Sequence, residues 1–249
     1  PVVTQRLASV HGMVLVLGFV ATLVALERAV ALGHPLGFLA PAALATGGIL
    51  LVSPAPIVIG RVAVLSGALA LVAVYVPLWR RRHDHAVLVQ ALGAVLVTGA
   101  TVLALPGMPT AVLLPWLVGF VVLTIGGERL ELARITMGSR VATASLVLAA
   151  ALGVAIAESL LWPSVGYPLV GVVLLALVGV LGGHDVAWRT IRGGGFARFA
   201  AGCMLAAYFW LAAAAVIWLL SGPTVDGPRY DAVVHAVFLG FTFSMIMSH

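Results

Sequence analysis

The sequence predicts an all-α, polytopic membrane helix bundle, and three observations carry that prediction. Of the 249 residues, 63% are hydrophobic and only 8% are charged, whereas a water-soluble domain has roughly a quarter of its residues charged. The apolar residues fall into runs of about the 20 residues that cross a bilayer. No long polar or Pro/Ser-rich linker interrupts these runs, so residues 1–249 read as a single transmembrane domain. Lipid offers the backbone no hydrogen-bond partners, and helices are the economical way for such runs to satisfy their own amides.

Nine spans follow, bounded by Pro, Gly and Arg. Span 1, about 7–28, starts directly after PVVTQRLAS, which lacks the pattern of a signal peptide, and ends at Glu27–Arg28. Pro1 in place of Met points to a trimmed start. Span 2 (36–53) lies between Pro35 and Pro54, and span 3 (57–79) between Pro56 and the run Arg80, Arg81, Arg82. Span 4 (86–105) ends at the turn PGMP, and span 5 (111–130) runs from that turn past Glu128–Arg129. Span 6 (139–161) begins after Gly138 and ends at WPSVGYP, which leads into span 7 (165–184). Span 8 (196–220) follows Gly193, Gly194 and Gly195, and span 9 (230–249) closes the sequence.

Arginine supplies the whole formal charge of +5, since there is no lysine. Ten of the thirteen arginines follow odd-numbered spans; Arg6, Arg61 and Arg229 are the exceptions. Basic connections stay in the cytoplasm, so the expected topology is multi-pass with the N-terminus outside and spans 1, 5 and 9 running inward. An arginine-rich, Ala/Val/Gly-rich composition points to a GC-rich bacterial genome, hence a bacterial cytoplasmic (inner) membrane. Trp79, Trp116, Trp162, Trp188 and Trp218 fall near span ends, where an interfacial belt is expected. The single Cys203 excludes an internal disulfide, and without CxxCH there is no covalent haem attachment. No interleaved basic and aromatic surface of the kind nucleic acid requires is present.

Every fourth helix echoes the first. Span 1 contains HGMVLVLGFVATLVALER, span 5 LPWLVGFVVLTIGGER and span 9 HAVFLGFTFSMIMSH. Each carries Gly-Phe, at 18–19, 119–120 and 240–241, with a polar residue nine positions after the glycine: Glu27, Glu128 and His249. A parallel repeat of four-helix units follows, in which span 9 opens a third unit of a twelve-helix architecture.

His11 and His235 lie seven and five residues before their Gly-Phe landmarks, so their depths differ by roughly 3 Å. Two imidazoles at matching depth suit six-coordinate haem iron, provided spans 1 and 9 are neighbours. The alternative is that each bonds a carbonyl or interfacial water. His249 sits some 21 Å deeper than His235, on nearly the same helix face, and would serve a second site; Met245, one turn before it, is either a copper ligand or a packing residue. Glu27, Arg28, Glu128 and Arg129 form either ordinary basic helix ends with neighbouring carboxylates or, with His249, a proton-conducting cluster. His34, His83, His85 and the pair His184–Asp185 read as connection residues, and Gly193–Gly195 lack the context of a phosphate loop.

The span 1 sequence HGMVLVLGFVATLVALERAVALG together with HAVFLGFTFSMIMSH resembles the NnrS-type haem- and copper-containing membrane proteins of nitric oxide metabolism and, more distantly, the main subunit of haem-copper oxidases. The resemblance covers mainly spans 1 and 9, about a sixth of the chain. It implies twelve helices in three arcs, with His11 and His235 as haem ligands and His249 as a further ligand. The cofactor it implies is haem, of b type given the missing attachment motif, with copper as a second candidate. Only three of the seven histidines are membrane-embedded, too few for a complete binuclear centre, so an independent terminal oxidase is not expected. The leading expectation is therefore a haem-binding membrane protein of electron transfer or nitric oxide handling, within a respiratory assembly or a homo-oligomer. Its rivals are a proton-coupled small-molecule transporter using Glu27, Glu128 and His249, and a cofactor-free accessory subunit packing Gly/Ala-rich faces on a partner.

Overall fold

The computed structural model describes residues 2–248, without the side chains of residues 2–5, 8, 9 and 135. Among the described residues there is no strand, and nine helices are long and apolar enough to cross a membrane. They are Val10–Leu32, Pro35–Val52, Ile57–Arg82, His85–Ala104, Thr110–Leu132, Thr136–Leu161, Pro163–Gly183, Gly195–Ser221 and Gly227–Met247. The chain is an all-α, polytopic bundle.

At the ends of spans 1 and 3, arginines do not terminate the helix as expected. Span 1 does not stop at Arg28, because that side chain is buried and bonded inside the protein. It continues to Leu32 and ends on Gly33, whose φ of 66° supplies the left-handed C-cap. Span 3 likewise runs through Arg80, Arg81 and Arg82, then turns at His83 (φ 50°), whose ring packs 4.9 Å from Trp79. Asp84 immediately caps span 4 by accepting from Ala86 N at 3.0 Å, so RRRHDH is a tight turn between helices. In span 6 the backbone at Gly138 is non-helical (φ 73°, ψ 172°), and the uninterrupted helix begins at 139 as the glycine implies.

The chain divides into two compact units, residues 1–120 and 121–249, with the division inside span 5. In the first unit small residues let the backbones meet. A Cβ on Gly48 of span 2 would lie 2.7 Å from Gly18 Cα of span 1, a contact that only glycines permit and that membrane helices use in place of hydrophobic drive. At the end away from the arginine-rich connections, Arg6 donates to the Ser53 and Ala55 carbonyls, and Arg61 to the Leu105 carbonyl at 3.2 Å. Two of the three arginines that depart from the charge asymmetry thus close off helix-end carbonyls.

In the second unit spans 6 and 7 meet in a tight turn, and spans 7 and 8 approach where a Cβ on Gly171 would lie 2.6 Å from the Ala215 carbonyl oxygen. Trp218, in the last turn of span 8, packs inward. It is 0% exposed, donates from Nε1 to Thr224 Oγ1 at 2.8 Å, and meets the Tyr167 ring edge-on at 5.8 Å. Its indole nitrogen finds a partner in the interior, which removes the need for water. Trp162 and Trp188 are exposed, as a belt requires.

Candidate functional site

Unusual helix follows His11 and begins at His235. In span 1 the backbone adopts π-helical turns over Val14–Val20, and in span 9 over His235–Phe243. Each stretch contains the Gly-Phe landmark, whereas span 5 stays α-helical through its own. Side-chain hydroxyls follow the widened turns: Thr242 donates to the Val237 carbonyl five residues back, at 2.9 Å. Such segments recur at functional sites.

His11 and His235 are both exposed, and the residues beside them match. Counting from each histidine, the fourth residue is an exposed leucine (Leu15, Leu239) and the eighth an exposed phenylalanine (Phe19, Phe243). The faces align on the histidines and not on Gly-Phe, which shifts the expected register by two residues. His235 Nδ1 lies 2.6 Å from the Asp231 carbonyl oxygen. A carbonyl only accepts, so Nδ1 carries the proton and donates, and Nε2 of the neutral ring keeps its lone pair for a ligand.

The Glu/Arg pairs resolve into two buried cradles, one in each unit. In the first, Arg28 is 7% exposed and donates from Nη1 to Oε1 of Gln90 at 3.0 Å; Tyr75 OH donates to the same oxygen at 3.4 Å. Glu27, itself exposed, pairs with Arg28. In the second, Arg129 is 8% exposed and its Nη2 meets both oxygens of Asp185, at 3.1 and 3.0 Å. Tyr208 OH donates to Asp185 Oδ2 at 2.9 Å, and Asp185 Oδ1 accepts from Ala187 N at 2.9 Å. Each unit therefore gathers an arginine that follows a glutamate, one acceptor and one tyrosine. The acceptor and the phenol have exchanged helices between units: Tyr75 is on span 3 and Gln90 on span 4, whereas Asp185 follows span 7 and Tyr208 is on span 8. Only the second cradle has a carboxylate at its centre.

Beside the second cradle is a narrow cavity with room for about one water molecule, lined among others by Gly126, Arg129, Tyr208, Phe241 and Met245. Arg129 Nε is buried there without a hydrogen-bond partner. Met245 is 2% exposed. His249 lies outside the described residues. Glu128 is half-buried. Among the described residues no three His, Cys, Asp or Glu side chains group as metal ligands. Among the remaining histidines, His34 caps the start of span 2 and His184 bonds the Val180 carbonyl.

A family model described as a domain of unknown function, DUF8744, matches residues 1–249. The chain belongs to the DUF8744 family. No curated protein and no solved structure matches it.

In this DUF8744 chain the sequence reading found both arginines but not their partners. Gln90 was detectable as a lone amide inside an apolar run, where a polar side chain implies a partner. Asp185 looked like a connection residue because glycines precede it, and nothing in the sequence ties Tyr75 or Tyr208 to an arginine several helices away.

Proposed function

We propose that this chain is a haem-binding integral membrane protein of a bacterial cytoplasmic membrane, oriented with its N-terminus outside, that transfers electrons or handles nitric oxide. His11 and His235 are the proposed axial ligands. The observation that carries this reading is His235: its Nδ1 is held by the Asp231 carbonyl, which fixes the ring and leaves Nε2 as the coordinating atom. The exposed Leu239 and Phe243 that follow it, and Leu15 and Phe19 after His11, offer the apolar walls a porphyrin needs. Haem bound here would supply reversible one-electron chemistry or a site for a diatomic ligand. The chain's own part is to orient the imidazoles and exclude water.

In this reading the two arginine cradles are structural: the first ties the far end of span 1 to spans 3 and 4, and the second ties together the ends of spans 5, 7 and 8. The test is the absorption spectrum of protein purified from haem-replete cells. A Soret band that weakens or shifts in His11→Ala and in His235→Ala is expected. No band, or a band indifferent to both substitutions, removes the proposal.

A second reading, proton-coupled transport, is favoured by the buried Arg129–Asp185–Tyr208 cluster and the water-sized cavity beside it. Buried ionisable groups in membranes commonly mark proton or substrate paths. Proton uptake by proteoliposomes that is lost in Asp185→Asn, from protein without a Soret band, would favour it over haem binding.

A further inference from the structure

The second unit carries an open groove of about 530 Å³ at the arginine-rich start of span 8. Its lining includes Ile191 from the preceding connection, Arg198, Phe199, Gly202 and Cys203 from span 8, and Ser244 from span 9. Neither the cradles nor the histidines touch it. Its floor is apolar, and among the described residues Arg198, which is exposed, is its one charged lining residue and no carboxylate lines it.

We infer that this groove seats an anionic phospholipid, with the phosphate on Arg198 and the start of an acyl chain along Phe199, Gly202 and Cys203. Three properties select that occupant. Arg198 can meet a phosphate oxygen pair bidentately. Span 8 also exposes Phe196, Phe199 and Phe209, so apolar surface is available to an acyl chain beside the groove. The site also lies at a span end, among Arg189, Arg192 and Arg198, the level at which headgroups sit and basic pockets between helices recruit acidic lipids. Gly202 keeps the floor open: a Cβ there would come 3.6 Å from Ile191 Cδ1, and a larger side chain would fill the space.

Cys203 is the sole cysteine and lines the groove, so its thiol reports occupancy with no added label site. Full-length protein is placed in nanodiscs of phosphatidylcholine alone or with phosphatidylglycerol, and the rate of N-ethylmaleimide addition to Cys203 is measured by mass spectrometry. Phosphatidylglycerol should slow labelling about fivefold, the effect of one arginine beside a net-negative headgroup, because the phosphate of phosphatidylcholine is offset by its own choline. Arg198→Gln should abolish the difference, while Arg192→Gln, which removes the same charge from an exposed arginine outside the lining, should keep it.

Native mass spectrometry supplies an independent readout: a retained phosphatidylglycerol in the unmodified protein and in Arg192→Gln, and none in Arg198→Gln. Equal labelling rates in both lipids, or protection that survives Arg198→Gln, would overturn the inference. Protection that follows protein density instead of lipid would assign the groove to a second copy. If Cys203 fails to react in every composition, absence of a retained lipid in the unmodified protein refutes the proposal.

Discussion

Replacing Asp185 by alanine tests the second cradle most severely. The carboxylate accepts from Arg129 on both oxygens, from Tyr208 and from the Ala187 amide, and it is 4% exposed. Its removal leaves a guanidinium that is 8% exposed without its countercharge. Breaking a buried ion pair in this way costs about 3–5 kcal/mol, which for a chain of this size lowers the unfolding temperature by roughly 10 °C. Asp185→Asn keeps one acceptor oxygen, loses the charge and turns the other oxygen into an NH2 donor, leaving Arg129 the kind of amide oxygen that Gln90 gives Arg28. Its expected loss is about half as large. Tyr208→Phe removes one hydrogen bond to a charged group, about 1.5–3 kcal/mol. Thermal unfolding of the purified protein in detergent, followed by tryptophan fluorescence, ranks the three. The reasoning fails if Asp185→Ala unfolds within about 2 °C of the unmodified protein, or if Asn is as damaging as Ala.

The other cradle and the glycine contacts make further predictions. Gln90→Ala should destabilise by about 1–3 kcal/mol by stranding donors of Arg28 and Tyr75, while Gln90→Glu, which offers Arg28 a carboxylate, should be the better tolerated in the same unfolding assay. The opposite order would show that Gln90 is not the acceptor that matters. A Cβ at Gly240 would lie 2.4 Å from Trp210 Cγ, whereas one at Gly179 would meet nothing within 4 Å. Gly240→Ala is therefore expected to cost about 1–3 kcal/mol, and Gly179→Ala to be neutral or stabilising by up to about 1 kcal/mol; equal melting points would refute the packing argument.

How much of this was legible in the sequence follows from the range of each interaction. Helix existence was legible because lipid enforces it run by run: all nine spans were expected, and the turn residues Pro35, Pro56, Gly138 and Pro163 stand where helices start or break. The end of span 1 is not legible in this way, because an arginine marks the membrane exit only where its charge needs water, and Arg28 is satisfied within the protein. The burial of Trp218 was hidden for the same reason, since its partner Thr224 lies beyond the turn that ends span 8. The Glu-Arg endings of spans 1 and 5 point to the cradles but name only their arginines. Their partners come from other helices, and the exchange of phenol and acceptor between Tyr75/Gln90 and Asp185/Tyr208 defeats alignment of the two units by residue type.

Electron paramagnetic resonance of the purified, oxidised protein tests the haem assignment most directly. Axial imidazole ligation predicts a low-spin ferric signal that turns high-spin, or disappears with the iron, in His235→Ala and in His11→Ala. Low-spin iron unchanged in both variants, or protein from haem-replete cells that carries no iron, would contradict it.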